Sequence, residues 1–115
     1  MSKSLREEQS IFSFDVCRFI LWAHELGYEV TFGEAQRPIE MQKIYYESGR
    51  SKTMDSLHIK RLAIDLFFFK DGLLLASKEE MQQIGNYWEA MCAQNTWGGN
   101  WKSFKDIPHF QRTVK

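Results

Sequence analysis

Leu62-Ala63-Ile64-Asp65-Leu66-Phe67-Phe68-Phe69-Lys70-Asp71-Gly72-Leu73-Leu74-Leu75-Ala76 is the stretch on which the fold turns. Leu62 to Phe69 is apolar almost without a break, like a strand covered on both faces. Asp71-Gly72 is a strong hairpin signal, because both residues tolerate positive φ. Leu73 to Ala76 is then the returning strand. A hairpin of this kind argues for antiparallel pairing.

The flanking segments add helices. Upstream, Ser4-Leu5-Arg6-Glu7 forms a capping box. The helix it opens carries Phe12, Val16, Phe19, Ile20, Ala23 and Leu26 at helical spacing, and Gly27 stops it. Tyr28 to Thr31 reads as a short strand. Gln36-Arg37-Pro38 opens a second helix, with proline near its first turn, running through Met41, Ile44 and Tyr45 to Gly49. Gly49 to Leu57 is polar and reads as a loop. Downstream, Ser77-Lys78-Glu79-Glu80 is another capping box, and Met81, Ile84, Trp88 and Met91 share one helical face. Asn95 to Asn100 breaks that helix, and a last strand lies around Pro108 to Gln111. The order predicts a single α+β domain over residues 1–115, with a small, mainly antiparallel sheet and helices packed against it.

Bulk properties exclude several classes. With 115 residues the chain can bury a modest core, and 15 basic against 15 acidic residues leave no net charge. That balance argues against nucleic-acid binding through a broad basic surface. No apolar run reaches membrane-spanning length, and Met1 to Glu8 has no apolar signal core. The expectation is a protein made in the cytosol without a signal, not inserted into a membrane. Cys17 and Cys92 read as buried free thiols.

Asp65 is the anomaly in the apolar strand. A buried carboxylate needs a cation, hydrogen-bond donors or exposure. A salt bridge or a solvent-reaching strand end would serve as well as a metal. His58 lies seven residues earlier, about 23 Å away if the chain were extended. Metal ligation at about 2 Å therefore requires a turn between them. His109 is a third candidate, three residues after Asp106, and both could face inward only with a bend at Ile107-Pro108. His24, on the first helix, reads as structural or surface.

Taken together, Ser56-x-His58-x6-Asp65, Trp97-Gly98-Gly99 and Asp106-x-x-His109 resemble the zinc peptidases related to D-alanyl-D-alanine carboxypeptidases. That group includes the L-alanyl-D-glutamate endopeptidases that bacteriophages use as endolysins, and shares a fold with the hedgehog amino-terminal domain. The resemblance runs from about Thr31 to Phe110. It implies one zinc ion on His58, Asp65 and His109, with Asp106 as general base. It implies that Arg37 contacts substrate and stabilises developing charge, and that Ser56 hydrogen-bonds a ligand or the substrate. The implied substrate is the stem peptide of peptidoglycan, cut at L-Ala-D-Glu or D-Ala-D-Ala by a monomer. Such an enzyme, of phage or prophage type, would reach the cell wall after release from the cytosol. Two departures stand out: Arg61 where the family often has glycine, and Phe67, Phe68 and Phe69 where a polar residue is common. A non-catalytic, zinc-stabilised binding module on the same fold is the alternative, and a plain α+β domain with coincidental histidines would bind no metal.

Overall fold

The structure, a computed structural model, describes residues 3–51 and 56–114. Residues 52–55, in the middle of the expected polar loop, lie outside the described residues.

Helix α1 spans Leu5–Glu25, opened by the reciprocal capping box of Ser4 and Glu7. Gly27 ends it at a φ of 89°, a conformation that glycine adopts without steric cost. Strand β1 (Glu29–Phe32), helix α2 (Ile39–Glu47) and strand β2 (Ala63–Lys70) follow. Asp71 and Gly72 both take positive φ and turn β2 into β3 (Leu73–Leu74), as a two-residue hairpin requires. The second capping box, Ser77 with Glu80, opens α3 (Lys78–Met91). Strands β4 (Asn95–Trp97) and β5 (His109–Arg112) complete the sheet. All pairings are antiparallel: the order is β1-β2-β5-β4, with β3 also on β2.

The core lies between the sheet and helices α1 and α3. Phe19 of α1 is fully buried at its centre. Its ring centroid is 5.1 Å from Phe110, 5.2 Å from Trp88 and 5.5 Å from Phe68. Leu66 and Phe68 of β2 and Phe110 of β5 point into this core, together with Met81, Ile84 and Trp88 of α3. Alternation along a strand sends the neighbouring side chains the other way. Asp65 and Phe67 therefore occupy the opposite face of the sheet, where they are only half-buried.

Several expectations change. β2 is not covered on both faces: its Asp65–Phe67–Phe69 side is half-open, because among the described residues no helix packs on it as α1 and α3 pack on the core face. Leu26 is exposed, since it caps α1 beyond the last turn that touches the sheet. In α2 the buried residue is Gln42, while Met41 and Ile44 are exposed. The returning strand is shorter than Leu73–Ala76. The segment expected only to break α3 contains β4, a full sheet member. Cys17 is exposed and Cys92 half-buried, both free thiols. Cys17 lies on the outer face of α1, and Cys92 caps α3, with its thiol beside Gln94 and Arg112.

Glycines let the end of α3 close over β4. Gly85 and Gly99 both press against the buried Trp97 indole so closely that a Cβ on either would collide with the ring. Replacing Gly85 with alanine should therefore destabilise the fold by about 1–3 kcal/mol through overpacking. A lowered midpoint in urea unfolding is the expected reading; an unchanged midpoint would mean that Trp97 can yield.

Candidate metal centre

Three elements deliver the residues. Asp65 on β2 is the direct cross-strand partner of His109 on β5, a pairing that holds Cβ atoms about 5 Å apart on one face. His58 comes from a turn over residues 57–61, closed by hydrogen bonds from the Lys60 and Leu62 N–H groups to the Leu57 carbonyl. This is the turn that the distance limit demanded. Arg61 completes it at a φ of 58°, so the departure from glycine carries a conformational cost of about 1 kcal/mol and touches no donor atom.

The bend expected between Asp106 and His109 is also present, with the His109 N–H donating to the Asp106 carbonyl at 3.2 Å. Gly98 holds this bend close. Its carbonyl accepts from the Asp106 N–H at 3.1 Å, and a Cβ there would collide with the Asp106 carbonyl. The buried Trp97 indole donates to the Ile107 carbonyl at 2.7 Å. The Trp97-Gly98-Gly99 motif thus acts as a mould for the Asp106–His109 segment.

One donor atom from each of His58, Asp65 and His109 lies within 4.8 Å of the others. His58 Nε2 is 3.2 Å from His109 Nδ1 and 3.3 Å from Asp65 Oδ1. His109 Nδ1 is 3.8 Å from the same oxygen. Each imidazole is oriented from behind. His58 Nδ1 faces the Ala35 carbonyl at 3.4 Å, and His109 Nε2 faces Gln111 Oε1 at 2.7 Å. With a carbonyl and an amide oxygen as outer partners, each outer nitrogen is placed to carry the proton. The inner nitrogens face the carboxylate, and among the described residues Asp65 Oδ1 is buried without a hydrogen bond. Three donor atoms converging at this spacing form a set that a divalent cation completes, and two nitrogens with one carboxylate suit zinc.

Electrostatics agree with a neutral His109 imidazole. Burial pushes His109 down to about 4, with the neighbouring His58 adding to the effect and the Gln111 hydrogen bond opposing it. Asp106 is held above the ordinary aspartate value, first by burial and then by the charge of Asp65, while His58 and Arg37 pull the other way. Its Oδ2 sits 3.8 Å from His109 Nδ1, beside the donor cluster and outside it.

The centre opens into a cleft of about 500 Å³, lined also by Glu34, Arg37, Tyr45, Arg50, Ser56, Trp101, Phe104 and Asp106. Arg37 is already well engaged there. Nε and Nη2 meet Glu34, Nη1 donates to Gln42 and Ser56, and its guanidinium stacks 4.8 Å from the Tyr45 ring. Ser56 Oγ accepts from the His58 N–H at 3.2 Å, which ties it to the histidine turn. His24 is exposed on α1, and the donor cluster does not include it. Glu34, Gln42, Tyr45, Trp101 and Gln111 were not singled out from sequence. Only Gln111 left a trace there, lying two residues beyond His109 and so on the same face of a strand.

The chain carries a candidate metal centre in an open cleft on a small antiparallel sheet. It belongs to the D-alanyl-D-alanine carboxypeptidase family, whose pattern it matches over residues 49–112, more than half its length. The L-alanyl-D-glutamate peptidase of Listeria phage A118 is 32% identical over 96 residues, covering 82% of this chain and 34% of that protein. The chain thus spans about a third of the length of this curated relative. The crystal structure of the Serratia marcescens L-Ala D-Glu endopeptidase ChiX superposes with a TM-score of 0.70 at 26% identity, over 98% of this chain and 89% of that one.

The lowered His109 value has a consequence for the metal-free protein. An unfolded histidine takes up its proton near 6.5, the buried one only near 4. Between these values the unfolded state binds more protons, so stability falls as pH falls. Metal-free protein should lose up to about 3 kcal/mol between pH 6.5 and 4, measurable by urea unfolding across that range. A flat profile would contradict the buried neutral imidazole.

Proposed function

We propose that the chain is a zinc-dependent peptidase that hydrolyses peptide bonds in the stem peptides of peptidoglycan, at the L-Ala-D-Glu linkage. The observation that carries this reading is the three-donor centre with Asp106 beside it but outside the cluster, facing an open cleft. The printed activities of the phage relative and of ChiX support the choice of bond.

Zinc held by His58, Asp65 and His109 would supply Lewis-acid polarisation and water activation at neutral pH. Asp106 takes a proton from the attacking water and returns it to the leaving amine. An ordinary aspartate holds protons poorly near neutrality, and the burial that raises Asp106 improves it for both transfers. Arg37, braced by Glu34, Gln42 and Tyr45, contributes positive potential where the carbonyl oxygen becomes negative. Ser56 holds the His58 turn and the Arg37 head in one frame. A second, purely structural use of the metal would have no need of Asp106 beside an open cleft.

Among the described residues, no helix is long and apolar enough to cross a membrane. We place the activity at the bacterial cell wall, as a phage or prophage lysis enzyme released by another agent. The described lining of the cleft comes from one chain, which supports work as a monomer.

Mass spectrometry of defined peptidoglycan fragments, incubated with and without a chelator, tests the proposal. Release of L-Ala-terminated products that chelator abolishes is expected. Zinc-loaded protein that cuts no stem peptide would overturn it in favour of a binding module. Asp106→Asn should retain zinc and lose turnover by about 100- to 10,000-fold, measured as rate and metal content on one sample. Loss of zinc from that variant would count against the assigned role.

A further inference from the structure

Gln111 makes two side-chain hydrogen bonds along one edge of the site. Its Nε2 donates to Thr113 Oγ1 at 2.8 Å, and its Oε1 meets His109 Nε2 at 2.7 Å. Thr113 is held in turn by Thr96 Oγ1 at 3.1 Å, across from β5 to β4. A chain of side chains thus runs from the sheet edge to the imidazole. Thr96 is also the register partner of Gln111 itself, which fixes the span between them.

From this chain we infer that Gln111 is a positioning residue that selects the tautomer of His109. An amide oxygen can only accept, so His109 Nε2 must carry the proton and Nδ1 must be bare. Nδ1 is the atom aimed at His58 Nε2 and Asp65 Oδ1. The other tautomer would set an N–H among the donor atoms and turn the metal away. Gln111 thereby orders one ligand before any metal arrives, as outer partners of ligating histidines do. The metal role rests on the ligand set proposed above; the tautomer does not.

The test compares Gln111→Met, which removes the acceptor at similar volume, with Gln111→Glu, which keeps it. Long-range proton–nitrogen NMR on metal-free protein at neutral pH reads the His109 tautomer, and competition with a chelator reads zinc affinity. Wild type should show protonated Nε2 and bare Nδ1. Gln111→Met should populate the other tautomer and bind zinc about 10- to 100-fold more weakly, whereas Gln111→Glu should retain both properties. Unchanged tautomer and affinity in Gln111→Met would overturn the inference. So would an equal loss of affinity in Gln111→Glu, which would mark a packing role. If Gln111→Met does not fold, the wild-type spectrum still decides, since a bare Nε2 contradicts the assignment. Wild-type protein that takes up no zinc would remove the ligand reading instead, while the spectrum continues to judge Gln111.

Discussion

Asp65 and His109 face each other across neighbouring antiparallel strands, and the two-residue period of those strands sets what each can do. The same alternation that aims Asp65 at the cleft aims Leu66 and Phe68 into the core, and His109 and Phe110 divide in the same way. A one-residue slip of β5 would exchange His109 and Phe110 between faces. The aromatic cluster around Phe19 therefore does more than stabilise the fold. By burying Phe68 and Phe110 it locks the register that puts a carboxylate and an imidazole side by side.

Around that pair, each polar group is held by another that restricts it. His58 is pinned between the Ala35 carbonyl and the Ser56 hydroxyl, His109 by Gln111, and Arg37 by Glu34 and Gln42. Among the described residues, what remains without a hydrogen bond is Asp65 Oδ1, at the point where the two inner nitrogens converge. Leaving such a group buried and unsatisfied is costly, and a cation at that point removes the cost. Asp106 lies close enough to sense Asp65 and far enough out to move a proton. In the proposed mechanism a ligand and a base are thus distinguished by position rather than by residue type.

Much of this was legible in the sequence where local chemistry decides the outcome. Both capping boxes, the Asp71-Gly72 turn and the core face of α3 follow from neighbours within a few residues. The ligand set came from the resemblance; spacing required only that the chain turn after His58 and bend before His109. Tertiary context decided the rest. α2 has an apolar-looking face, yet it buries Gln42, because its neighbour is the Arg37 head rather than the core. β4 is three residues long and follows α3 after a short turn, too short for any periodic signal. Gln111 could not be distinguished from a surface glutamine without knowing which His109 nitrogen faces outward. Arg61 shows the converse: the departure from glycine was visible in sequence, but its backbone meaning needed the φ angle.

The central claim is that His58, Asp65 and His109 converge on one cation. A crystal of zinc-loaded protein, with diffraction recorded on both sides of the zinc absorption edge, tests it most directly. The account predicts a single anomalous peak about 2.0–2.2 Å from His58 Nε2, Asp65 Oδ1 and His109 Nδ1, with Asp106 outside the ligand shell. A peak elsewhere, ligation through His109 Nε2, or a zinc-loaded crystal with no peak at this point would contradict it.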